Sequence, residues 1–152
     1  MNVTRAVATG IIATASMTAL LLIEPAIGLP EIAIGQLLST SLSLTTAFYS
    51  VGPAVGWLIH FGVGVLWALV YAGFVINRLP GSAVVRGLLY GALVFVLAQV
   101  ALLPMVGAGF FSRGDPSMLA GGLLGHLVYG SVLGWVYGGS GEAQRATAAK
   151  FA

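Results

Sequence analysis

Charged residues divide the chain into four uncharged stretches, 6–23, 32–77, 87–112 and 116–141. Each is near or above the roughly 20 apolar residues a helix needs to cross a hydrocarbon core. Spans are predicted at about 5–25, 54–76, 84–106 and 118–139, with a short tail over 140–152. The fold class is therefore an all-α membrane protein built on four transmembrane helices. The stretch 30–50 is patterned differently. Gln36, Ser39, Thr40, Ser43, Thr46 and Ser50 recur at spacings of three and four, and Ile34, Leu37, Leu38 and Phe48 fall largely on the other side. That is an amphipathic helix. Pro30 and Glu31 suit its first turn, by fixed φ and by charge at the positive end of the dipole. We read it as an outer helix that is interfacial or re-entrant; the rival reading is a fifth, Ser/Thr-rich span.

Two spans carry a stripe of small residues stepping by four. One is Gly56, His60, Gly64, Ala68, Ala72; the other is Gly122, His126, Gly130, Gly134, Gly138. Steps of four put each stripe on one ridge of a helix. The stripes belong to a longer match, of His60-x3-Gly64-x5-Val70-Tyr71-x-Gly73 with His126-x3-Gly130-x5-Val136-Tyr137-x-Gly139. Upstream, Arg5-x4-Gly10 matches Arg86-x4-Gly91. Two parallel two-helix repeats imply a pseudo-twofold axis along the membrane normal. The second and fourth spans are then parallel, with their small-residue ridges free to face each other. Gly56, Gly64, Gly122, Gly130, Gly134 and Gly138 are the expected packing residues.

Composition agrees with the pattern. Only 7% of the 152 residues are charged, against about 25% in a soluble domain, and the mean hydropathy is +1.03. The pI of 9.3 reflects two surplus charges, with no Lys/Arg cluster to follow phosphates, so nucleic acid is not an expected partner. The absence of cysteine excludes disulfides, thiolate metal sites and thiol nucleophiles. The first apolar run, about 18 residues, exceeds the roughly 7–15 of a signal peptide and reads as a spanning helix. Arg5, Arg78, Arg86, Arg145 and Lys150 fall on one side of a four-span topology and Arg113 on the other. The positive-inside rule then makes both termini cytoplasmic. Pro80-Gly81 marks a tight turn between the second and third spans. Arg5, Arg78 and Arg86 are expected as lipid or topology anchors.

His60 and His126 are the two histidines of the chain, and an ionisable group inside a span is a functional hypothesis by default. His60 precedes Arg78 by 18 residues, roughly 27 Å at 1.5 Å per residue, in the outer part of the membrane. One reading makes the pair axial ligands of a b-type haem. The plainer one makes each a hydrogen-bonding strut between helices. No metal site is expected, because a bridging ion would lack further ligands; a pigment or a proton relay finds no other support. Thr18 matches Gln99 in the repeat, and the two could line the polar seam of a small transporter or channel. Trp57, Trp67 and Trp135 with Tyr71, Tyr90, Tyr129 and Tyr137 read as including an interfacial belt. In the loop 106–117, Arg113 and Asp115 are placed to pair. The chain shows no Ser-His-Asp order, carboxylate pair or phosphate-binding loop, so an enzyme is not expected.

The run Leu103-Pro104-Met105-Val106-Gly107-Ala108-Gly109-Phe110 and the run from His126 through Tyr129, Gly134 and Trp135 to Gly138, with Pro30-Glu31 and Gly56-Trp57-Leu58-Ile59-His60-Phe61, resemble a "domain of unknown function" family of small four-helix bacterial integral membrane proteins. The resemblance implies the fold and the bacterial cytoplasmic (inner) membrane, and no activity. The expected role is a non-catalytic accessory subunit of a larger membrane complex, respiratory or photosynthetic. Its partners would be membrane lipids and other membrane subunits or further copies of the chain.

Overall fold

The computed structural model of the protein describes residues 1–43 and 52–139, with the backbone alone at 40–43. Among the described residues, four helices are long and apolar enough to cross a membrane: Val3–Ile27, Pro53–Val75, Ala83–Met105 and Pro116–Gly138. No strand occurs among the described residues. The helical elements are α1 (Val3–Ile23), α2 (Ile34–Ser43), α3 (Pro53–Val70), α4 (Ala83–Leu97), α5 (Leu103–Met105, a last turn beyond α4) and α6 (Pro116–Leu133). π-helical turns extend α3 over Tyr71–Val75, α4 over Ala98–Leu102 and α6 over Gly134–Gly138. The amphipathic reading of 30–50 is described as helix over α2; Thr46, Phe48 and Ser50 lie outside the described residues, as does the tail 140–152.

The starts of the long helices are set locally. Asn2 Oδ1 accepts from the Arg5 amide at 3.0 Å, and Pro53 opens α3 after Gly52. Ser82 Oγ accepts from the Val85 amide at 3.5 Å. Asp115 Oδ1 accepts from the amides of Ser117 and Met118 at 2.9 and 3.2 Å. Each side chain satisfies N–H groups that a helix leaves open at its first turn. Gly81, at φ +96°, makes the turn between α3 and α4.

Glycine decides which helices touch. α1 packs on α3, α3 on α2, α1 on α6, and α6 on α4. A Cβ at Gly10 would stand 2.8 Å from the Ala68 Cβ, and one at Gly134 would stand 2.9 Å from the Gly87 Cα. The stripes of the second and fourth spans, though free to face each other, do not meet. Gly56 and Gly64 lie against Gly35 and Thr14, on α2 and α1, whereas Gly130, Gly134 and Gly138 lie against Gly87, Gly91 and Ala83 of α4. The reason is that backbone-to-backbone approach needs small residues on both sides, and α4 supplies Gly87 and Gly91. α3 instead meets α6 and α4 through tyrosines. Tyr129 donates its hydroxyl to the Gly64 carbonyl at 2.6 Å and Tyr90 to the Trp67 carbonyl at 2.8 Å. These two and Tyr71 are buried, so they are core residues and not an interfacial belt; Trp135, 67% exposed, is placed to meet lipid.

The arginines at the membrane edge bind carbonyls. Arg5 donates to the carbonyls of Val136 (2.9 Å) and Tyr137, with its guanidinium carbon 4.8 Å from the centre of the Tyr137 ring. Arg86 donates to those of Ile76 and Gly81 at 3.0 and 2.9 Å, and Arg78 to that of Phe74. Cations at helix C-termini complement the unpaired carbonyls and the dipole there.

Candidate functional site

Because α3 touches α4 and α6 by tyrosine tips, the bundle keeps a half-open cavity of about 1340 Å³. Its walls come from α1, α3, α4 and α6 and are mostly aliphatic. The segment around α2 and the loop before α6 form the end away from the termini. His60 and His126 both line it, as do Thr14, Trp67, Gln99 and Tyr129.

Hydrogen bonds assign the two rings. His126 Nδ1 lies 2.7 Å from the Gly122 carbonyl. A carbonyl only accepts, so Nδ1 carries the proton, and Nε2 of the neutral ring keeps its lone pair. That Nε2 has no hydrogen-bond partner among the described residues. The ring meets Phe95 edge to face at 5.6 Å. His60 Nε2 lies 3.2 Å from Thr18 Oγ1, and the Thr18 hydroxyl gives its single proton to the Thr14 carbonyl at 2.8 Å. His60 is therefore the donor, and its lone pair sits on Nδ1. Trp57 and Phe61 hold the ring edge to face, each at 5.8 Å. No hydrogen bond joins the two histidines.

Gln99 is the third polar group. It is 3% exposed and sits in the π-helical turn Ala98–Leu102, a local irregularity frequent at functional sites. Its Oε1 accepts from Ser112 Oγ at 3.2 Å. Its amide nitrogen would be 3.6 Å from a Cβ at Gly122, the residue whose carbonyl holds His126. Ser112 belongs to an unusual loop. Phe111, Ser112 and Arg113 all take left-handed backbone conformations, φ 47°, 51° and 55°, which cost roughly 1–2 kcal/mol per non-glycine residue. Strain of this kind collects at binding sites. Here the loop is held over the cavity by the Ser112–Gln99 bond and by Arg113, which donates to the Gly107 carbonyl at 3.0 Å. The expected Arg113–Asp115 pair does not form. Asp115 is spent on the start of α6, where the Ser117 hydroxyl and then the Met118 and Ser117 amides hold its carboxyl below the usual range.

The structure brings His60, His126, Gly64, Gly122 and Gln99 to one cavity; Thr18 is not part of its lining and stands behind His60. Two features escaped the sequence. The tyrosines were legible only as aromatics. Glu24, which ends the first uncharged stretch, is 0% exposed, with neither carboxyl oxygen hydrogen-bonded among the described residues. It lies against Gly121 of α6, where a Cβ would be 2.8 Å from Oε2. Among the described residues, no group of three His, Cys, Asp or Glu could hold a metal ion.

Residues 1–148 match the family described as "Family of unknown function (DUF6789)". Comparison with curated proteins and with solved structures yields no match. The chain belongs to this family of unknown function, and it has the four apolar helices of a small membrane protein.

Proposed function

We propose that this family member is a non-catalytic, membrane-embedded binding subunit that holds a lipid-soluble molecule in the histidine cavity, as an accessory part of a larger bacterial membrane complex. The cavity carries the reading. Small-molecule sites are mostly apolar concavities with a few convergent polar groups, and this one combines aliphatic walls with two histidines and Gln99. Respiratory and photosynthetic assemblies are the complexes that would use such a subunit. The termini would be cytoplasmic, in accord with Arg5, Arg78 and Arg86 on their side of the bundle and Arg113 on the other. A duplicated origin is supported by the exchange of caps, Arg5 of α1 closing the end of α6 and Arg86 of α4 the turn after α3.

Haem is the second reading, favoured by both histidines lining one cavity. Bis-histidine ligation would draw on Nε2 of both rings, and that of His60 is engaged by Thr18. This favours hydrogen bonding over ligation. Purification in mild detergent, followed by mass spectrometry of an organic extract and a visible spectrum, tests both. The expected result is a retained apolar molecule, held less well in Val63→Trp, which narrows the cavity from α3, with no Soret band. A preparation that retains nothing and brings no other subunit counts against the proposal.

A further inference from the structure

We propose that the cavity takes a neutral apolar molecule bearing a hydroxyl group, a quinol or a lipid alcohol, with the hydroxyl donated to Nε2 of His126. The inference rests on the binding role above and names the ligand's chemistry. Nε2 of His126 is an acceptor, because Nδ1 is committed to the Gly122 carbonyl. Nδ1 of His60 is an acceptor, because Nε2 is committed to Thr18. The Gln99 amide nitrogen, beside Gly122, is a donor. A hydroxyl both donates and accepts, so its chemistry matches the His126 acceptor as well as the Gln99 donor. A bare carbonyl answers Gln99 alone.

The rest of the lining sets charge and shape. The deep polar groups are uncharged. Glu31, Arg113 and Asp115 line the end away from the termini, and two of them are spent locally, Arg113 on Gly107 and Asp115 on Ser117 and Met118. A charged headgroup would leave its charge uncompensated in the deep part, a large cost in an apolar setting. The volume of about 1340 Å³ exceeds the roughly 300–1,000 Å³ of common ligand pockets, leaving room for an isoprenoid-like tail. The strained loop fits as cover, since Ser112 bonds Gln99, the group that would meet the ligand.

Titration calorimetry on the detergent-solubilised full chain tests this with two matched pairs: a short-chain benzoquinol against its dimethyl ether, and farnesol against its methyl ether. The expected result is a hydroxyl preference of about tenfold, the worth of one hydrogen bond. His126→Phe, which keeps a ring and removes the lone pair, should bring the hydroxyl compound to the affinity of its ether and leave the ether unchanged. His126→Gln, with an acceptor oxygen, should retain part of the preference and serves if the Phe variant does not fold. A preference in the quinol pair alone names a quinol, in the farnesol pair alone a lipid alcohol, and either supports the proposal. Equal binding within both pairs overturns it while leaving the binding role standing. Binding of none of the four overturns the binding role itself.

Discussion

Gly64 and Gly130 occupy matching places in the two histidine stripes, yet an added methyl group meets different obstacles at each. At Gly64 the new Cβ would fall on Oγ1 of Thr14, with the Thr14 Cβ and Cγ2 at 3.1 and 3.2 Å. These are side-chain atoms. Gly64→Ala therefore overpacks the α1–α3 seam, at about 1–3 kcal/mol. It also breaks the 2.7 Å bond from Thr14 Oγ1 to the Gly10 carbonyl, worth about 1 kcal/mol. The better helix propensity of alanine returns about 1 kcal/mol. Thr14→Ala in the same chain removes Oγ1 and Cγ2, so the double variant should recover about 1–2 kcal/mol relative to the sum of the singles. At Gly130 the new Cβ would fall on the Gly87 carbonyl oxygen and stand 2.8 Å from the Gly91 Cα. Backbone has no rotamer to change. To carry the new Cβ out to about 3.5–4 Å from that oxygen, α4 and α6 must part by more than about 1 Å, forfeiting about half or more of the dispersion energy along the seam. Gly130→Ala should cost about 3 kcal/mol, with no rescue from α4, because Gly87 and Gly91 have no side chains to trim. Denaturant unfolding of the four variants in one detergent measures this. A Gly64–Thr14 cycle additive within about 0.5 kcal/mol, or a loss at Gly130 smaller than that at Gly64, would refute the reasoning.

Replacing Glu24 by Met removes a buried carboxyl with no hydrogen-bond partner among the described residues and should raise unfolding stability by about 1–3 kcal/mol; a loss in the same assay would show the carboxyl is used. Arg5→Lys keeps the charge but loses the fork onto the carbonyls of Val136 and Tyr137. Faster amide exchange near Gly138 and an unfolding loss of about 1–2 kcal/mol are expected, while topology mapped by labelling stays the same. Tyr129→Phe should cost about 1 kcal/mol through the lost bond to the Gly64 carbonyl. Asp115 has a lowered pKa in the folded chain, so its contribution is present above the usual carboxylate pKa and lost as pH falls through the folded value. Exchange of the Ser117 and Met118 amides should quicken in that acid range, and Asp115→Asn should remove the pH dependence.

Hydropathy, charge and turn residues determine the four spans, the turn at Pro80-Gly81 and the matched histidine stripes, because a membrane demands long apolar helices whatever they later pack against. The same pattern marks ridges fit for close contact without saying which pairs meet. Gly87 and Gly91 stand in the sequence as plainly as Gly130, but their pairing follows from where the turns bring the helices, and that choice belongs to tertiary structure. So does the burial of Tyr90, Tyr129 and Glu24, since a tyrosine reads the same at a lipid boundary and in a core. The histidines carry the contrast furthest. Their positions are written in the chain, whereas the direction of each lone pair depends on the Gly122 carbonyl one turn away and on Thr18 from another helix. The cavity between them exists because tyrosine tips, and not glycine ridges, join α3 to its neighbours across the bundle.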